Sequence, residues 1–103
     1  MYALVSVWTM VEGRLDEQLR GLQNQAVPRI TKLPGFVAGY WNRDPVTGKA
    51  HGLTVFENEA EARRLKEFIQ GDTKGAAEVG VTYDSLAIVE VLASATAAVT
   101  AQT

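Results

Sequence analysis

The chain is 103 residues long, 47% hydrophobic and 21% charged, and its formal net charge of -2 leaves no basic excess to meet a phosphate backbone. It has no cysteine and a single histidine, which excludes disulfides, thiolate zinc sites, iron–sulfur clusters, a cysteine nucleophile and multi-histidine metal centres. This length holds one domain with a modest core.

Residues 2–9 (YALVSVWT) are rich in β-branched and aromatic types and read as a strand. Leu4 and Trp8 fall on one face, Val5 and Val7 on the other, so both faces are apolar and both need cover. Glu12-Gly13 breaks the run. Residues 14–33 read as a helix, with Leu15, Leu19, Leu22, Ala26, Ile30 and Leu33 on one stripe. Asp16 and Glu17 open it, and Arg29 and Lys32 close it, as the macrodipole favours. Pro28 lies inside this pattern and predicts a kink near Ala26-Val27, because it lacks a donor and crowds the preceding turn.

Pro34-Gly35 stops the helix, and residues 36–43 (FVAGYWNR) form a second strand with two apolar faces. Residues 44–48 (DPVTG) are a turn: Asp and Pro suit its first two positions, and Gly48 can take a positive φ. Residues 49–57 (KAHGLTVFE) complete a hairpin. Asn58 is a good N-cap, and Glu61 three residues on gives a capping-box pattern for a helix over 59–70. Residues 71–80 read as loop with a short helical turn over 76–79, and residues 81–93 as the last strand. The tail, residues 94–103, is made of small residues and Thr; it is expected to fray or to be held by a partner.

The order βαββαβ over residues 1–93 is the ferredoxin-like, split-βαβ arrangement. It is an α+β fold, a four-stranded antiparallel sheet with two helices on one face. Two helices cover one face only, yet the first two strands and much of the last (Leu86, Ile88 and Leu92 against Ala87, Val89 and Val91) are apolar on both. The expectation is a homodimer through the sheet face. No basic segment precedes the apolar residues 2–11, no small-residue cleavage site follows them, and no apolar run reaches the roughly 18–20 residues that span a bilayer. A cytoplasmic protein with neither membrane nor nucleic-acid partner is therefore expected.

The element order, the Pro34-Gly35-Phe36 junction, and Phe56-Glu57 followed by a Glu- and Ala-rich helix resemble the antibiotic biosynthesis monooxygenase family. That family lies in the dimeric α+β barrel superfamily, and the resemblance covers roughly residues 1–93. It implies a pocket in each subunit between sheet and helices. Superfamily members include cofactor-free oxygenases of aromatic polyketides, haem-degrading enzymes, isomerases and dehydratases, and the fold does not choose among them. Haem-degrading relatives use an asparagine, a tryptophan and a histidine in set places. Here no histidine lies on or just after the second helix, and the first strand carries Ser6 and no asparagine, which argues against haem degradation.

The hairpin register decides which side chains share a face. With a four-residue loop, Asp44 pairs with Lys49, Asn42 with His51, Tyr40 with Leu53, and Trp41 with Gly52, matching large to small. Tyr40, Asn42 and His51 then share one face, and Trp41, Arg43 and Thr54 the other; a one-residue shift would set Trp41 opposite His51 instead. His51 is the chain's one imidazole, the side-chain type suited to proton transfer near neutral pH, and is the candidate general base. Asn42 and Arg43 are candidates to orient a carbonyl or enolate oxygen. Trp8, Tyr40, Trp41 and Tyr83 are candidates to wall a slot for a flat ligand. Asp84 and Glu90 read as acids on one face of the last strand, as candidate bases if buried or as rim residues that meet a basic partner. The run 57–67 (ENEAEARRLKE) is a solvated helix face.

No Gly-x-Gly-x-x-Gly, no Gly-rich phosphate loop and no Gly-x-Ser-x-Gly occurs. The resemblance and this inventory together point to a cofactor-independent monooxygenase acting on a small aromatic quinol or anthrone. Its catalytic residues would be His51, Asn42 and Tyr40, its substrate-binding residues Trp8, Trp41, Arg43 and Tyr83, with no metal and no cofactor. The alternative is a non-catalytic dimeric protein of the same fold, ligand-binding or stress-related. A pocket with convergent polar groups would favour the first reading.

Overall fold

The β-branched N-terminal run forms β1 (Tyr2–Met10), and the two halves of the predicted hairpin form β2 (Phe36–Arg43) and β3 (Ala50–Phe56). The last apolar run forms β4 (Val81–Glu90) and ends three residues earlier than expected. These elements are those of a computed structural model that describes residues 1–97; residues 98–103, and with them most of the expected tail, lie outside the described part. The strands make one antiparallel sheet in the order β2-β3-β1-β4. This is the ferredoxin-like α+β topology. No helix of the described residues is long and apolar enough to cross a membrane.

The predicted helix over 14–33 is three pieces: α1 (Leu15–Gly21), a π-helical turn (Leu22–Ala26) and α2 (Val27–Thr31). Pro28 is the cause. It cannot donate to the carbonyl four residues back, and its ring crowds the preceding turn, so the backbone widens just before it. The expected kink therefore takes the form of a π turn. α3 (Glu59–Gly71) starts at Asn58, whose Oδ1 accepts from the Glu61 N–H at 3.0 Å. Only half of the expected capping box forms, because the Glu61 carboxylate turns to Arg64 at 3.0 Å instead of back to the cap. The short α4 (Lys74–Glu78) follows in the stretch read as loop.

Leu4, Phe56, Ala62 and Leu65 form the core, where α3 lies on the sheet. The Pro34-Gly35-Phe36 junction feeds it. Gly35 adopts φ +75°, its carbonyl accepts from the Glu57 N–H at 2.9 Å, and Phe36 meets Phe56 edge-to-face at 6.2 Å.

Alternation fixes the two faces of the sheet. Leu4, Ser6, Thr54 and Phe56 point to the helices. Val5, Val7, Leu53, Val55 and Val89 point away, and Leu53, Val89 and Tyr40 are 37%, 39% and 64% exposed. Among the described residues this second face stays open.

The β1–β4 ladder shifts between Val7 and Trp8: Val7 faces Ser85 and Trp8 faces Tyr83, leaving Asp84 as the extra residue of a bulge. This corrects the expectation that Asp84 and Glu90 share a face, since a bulge between them reverses parity. Asp84 sits beside Thr9 on the open side, where its carboxylate accepts from the Thr9 hydroxyl at 2.8 Å and from Lys49 Nζ at 2.7 Å. It is thus a rim acid with a basic partner. The Lys49 ammonium and then the Thr9 hydroxyl hold its carboxyl below the ordinary 3.8. A depressed folded-state pKa gives stability that is present at neutral pH and lost as pH falls through that pKa. Asp84→Asn is therefore expected to lower the urea midpoint modestly at neutral pH, with the gap to the unmodified chain closing once pH drops below 3.8. A gap independent of pH would contradict the assignment.

Candidate functional site

A cavity of about 330 Å³ opens between the helix-facing side of the sheet and the helices, a size ordinary for small-molecule sites. The sheet contributes Trp8, Met10, Trp41, Arg43, Ala50 and Gly52 to its wall. The helices contribute mainly apolar side chains, including Leu15, Leu19, Leu22, Phe68 and Ile69. Leu15 and Leu19 are each 38% exposed and Phe68 54%, because these side chains face the cavity rather than packed neighbours. The π turn also lines it, so the irregular backbone before Pro28 stands at the site.

The chain has two tryptophans, and both are on this wall. Trp8 is pinned: its Nε1–H donates to the buried Ser6 Oγ at 2.8 Å, and its ring meets Tyr83 edge-to-face at 6.0 Å. Tyr83 thus stands behind Trp8 and does not line the cavity. Trp41 lies across Gly39 of its own strand, where an added Cβ would come within 2.5 Å of the ring. It also borders Gly52, opposite it in the register expected from the turn. An added Cβ at Gly52 would collide with Ser6 Oγ. Two glycines therefore make the slot in which the indoles sit. Gly52→Ala is expected to displace the Ser6 hydroxyl and free the Trp8 ring, seen as a shift in tryptophan emission and loss of slowly exchanging indole N–H. An unchanged indole signal would show that the contact does not position Trp8.

The register of the hairpin is the one expected: Asn42 faces His51, Tyr40 faces Leu53 and Arg43 faces Ala50. Asp44 builds the turn, its Oδ1 accepting from the Val46 N–H at 2.8 Å while Gly48 takes φ +76°. Tyr40, Asn42 and His51 therefore share a face, and Asn42 Nδ2 donates to the His51 carbonyl at 3.0 Å. That face is the open one. Residues 42 and 51 border the cavity, but alternation sends their side chains through to the other side of the sheet, and Tyr40 does not reach the wall at all. Of the seven residues singled out from sequence, the cavity gathers the side chains of Trp8, Trp41 and Arg43.

Arg29, Asp72 and Gln18 on the wall were not singled out as site residues from sequence. Arg29 joins Arg43 there, and neither has a carboxylate within ion-pair distance among the described residues. Among the described residues Asp72 is the wall's one carboxylate. Gln18, 5% exposed, lies one step off the leucine stripe of α1 among Asp16, Glu17 and Arg20, so nothing in the sequence set it apart. Among the described residues no three His, Asp or Glu side chains group as a metal site.

The sequence profile of a family described as "Putative mono-oxygenase ydhR" matches residues 5–99. The chain belongs to this family. The ydhR match takes in every residue of the cavity wall. A solved structure described as a "putative antibiotic biosynthesis monooxygenase from Deinococcus radiodurans" superimposes with a TM-score of 0.64 at 13% identity, over 97% of this chain and 99% of that one. At that identity the likeness is one of fold, and it agrees with the monooxygenase-like family read from element order and the Pro34-Gly35-Phe36 junction. No curated protein matches the chain.

Proposed function

We propose that this ydhR-family chain oxidises a small aromatic quinol or anthrone in the cavity with dioxygen, using no bound cofactor. The observation that carries the reading is the apolar cavity with both tryptophans of the chain on its wall, a shape that fits a flat ring. Trp8 and Trp41 bind and orient the ring. Arg29 and Arg43 favour the ionised phenolate or enolate of the substrate, since a nearby cation lowers the pKa of an acid. That anion is electron-rich enough to reduce dioxygen itself. For an anthrone, the ring CH2 becomes C=O; one oxygen atom enters the product and the other leaves as water with the two hydrogens.

The test is oxygen uptake with anthrone in the absence of flavin and added metal. Oxygen and anthrone are expected to be consumed in equal amounts, with Trp41→Ala lowering kcat/KM by about tenfold or more. Uptake no faster than in protein-free buffer would overturn the proposal. One observation favours a second reading, a ligand-binding protein without catalysis: the side chains of His51, Asn42 and Tyr40 point away from the cavity, which leaves it without the predicted base.

The open face supports a homodimer through the sheet, as the two-faced strands required. In that dimer Tyr40, Asn42 and His51 belong to the interface, not to proton transfer.

A further inference from the structure

Among the described residues Gln18 is the one nearly buried polar side chain on the cavity wall, at 5% exposure. Its amide orientation is fixed without ambiguity. Nε2 lies 3.1 Å from the Val11 carbonyl and 3.0 Å from the Val79 carbonyl, and two acceptors there require the nitrogen end. Both N–H donors are thereby used. No side chain or backbone donor among the described residues reaches Oε1, and no enclosed polar side-chain atom lacks a partner. The oxygen must therefore open onto accessible space, and for this wall residue that space is the cavity.

We infer that Gln18 Oε1 is a fixed hydrogen-bond acceptor for the cavity's ligand, which therefore carries a hydroxyl or N–H donor on its ring system. This rests on the reading of the cavity as an aromatic-ligand site and narrows it: a phenol, a hydroquinone or the enol tautomer of an anthrone fits, and the corresponding O-methyl ether does not. The acceptor is preorganised, because the carbonyls of Val11 and Val79 hold the amide from the ends of β1 and the α4–β4 connection. An apolar wall around it makes an unmatched acceptor costly once a ligand displaces water.

Replacing Gln18 would also cut its ties to Val11 and Val79, so the test varies the ligand and leaves the chain intact. Naphthol and methoxynaphthalene are titrated into the protein, with binding read from tryptophan emission and the Gln18 side-chain carbonyl followed by carbon-13 NMR. The expected result is that naphthol binds at least about tenfold tighter and moves the Gln18 carbonyl resonance, while the ether leaves it in place. Equal affinity, or tighter naphthol binding without movement of that resonance, would overturn the Gln18 assignment and leave the cavity reading standing. Binding of neither probe would overturn both.

Discussion

Phe56→Ala is expected to remove about 3–5 kcal/mol of folding stability, out of the roughly 5–15 kcal/mol that a domain of this kind has in total. Phe56 has no exposed surface and stands where three elements meet. It pairs with Tyr2 in β1 and with Phe36 in β2, and it packs against Leu4 and Leu65 from within the core cluster. The chain around it is already shaped by backbone constraints, with Gly35 at positive φ and Asn58 capping α3 just beyond, so the void has little freedom to collapse. A urea unfolding curve of the variant checks this. A loss below about 1 kcal/mol would mean that the core is not centred on Phe56.

Leu53→Asp is expected to convert a dimer into a monomer with little change in the unfolding of each chain. Leu53 is 37% exposed at the middle of the open face, between Val5 on β1 and Tyr40 on β2. In a face-to-face pair of sheets the aspartate would be buried without a partner, which a dimer cannot tolerate, whereas in a lone chain it would be solvated. Light scattering should give the unmodified chain twice the 11.2 kDa of a single copy, and the variant 11.2 kDa. A concentration-independent 11.2 kDa for the unmodified chain would refute the sheet-face dimer.

Local chemistry made much of the fold legible in the sequence. The turn over 44–48 sets the hairpin register through Asp44 and Gly48, which act on their own neighbours, so the pairing of Asn42 with His51 was the favoured reading of the residues, with a one-residue shift as its alternative. Pro28 announced a break, though not that a π turn would absorb it. What could not be read was which face holds the cavity. Because β1 and β2 are apolar on both sides, alternation sorts Trp41 from Tyr40 without saying which of them meets the helices. The bulge at Asp84 is likewise invisible to a period-2 reading: it depends on β1 opposite, where Thr9, joined by Lys49 from just before β3, collects the extra carboxylate. Tyr83 reaches the back of Trp8 for the same reason. Gln18 and Arg29 read as ordinary polar positions of an amphipathic helix, and only the packing of that helix over the sheet makes them wall residues.

The two tryptophans are the chain's own probes of the cavity, since no other part of it carries one. Titration of anthrone under nitrogen, where no turnover occurs, with tryptophan emission as the readout, therefore tests the ligand cavity directly. Saturable quenching that reaches a plateau, and that is weakened about tenfold or more by Trp41→Ala, is the predicted result. Emission that is unchanged, or that falls linearly without saturation, would contradict the cavity as the site of an aromatic ligand.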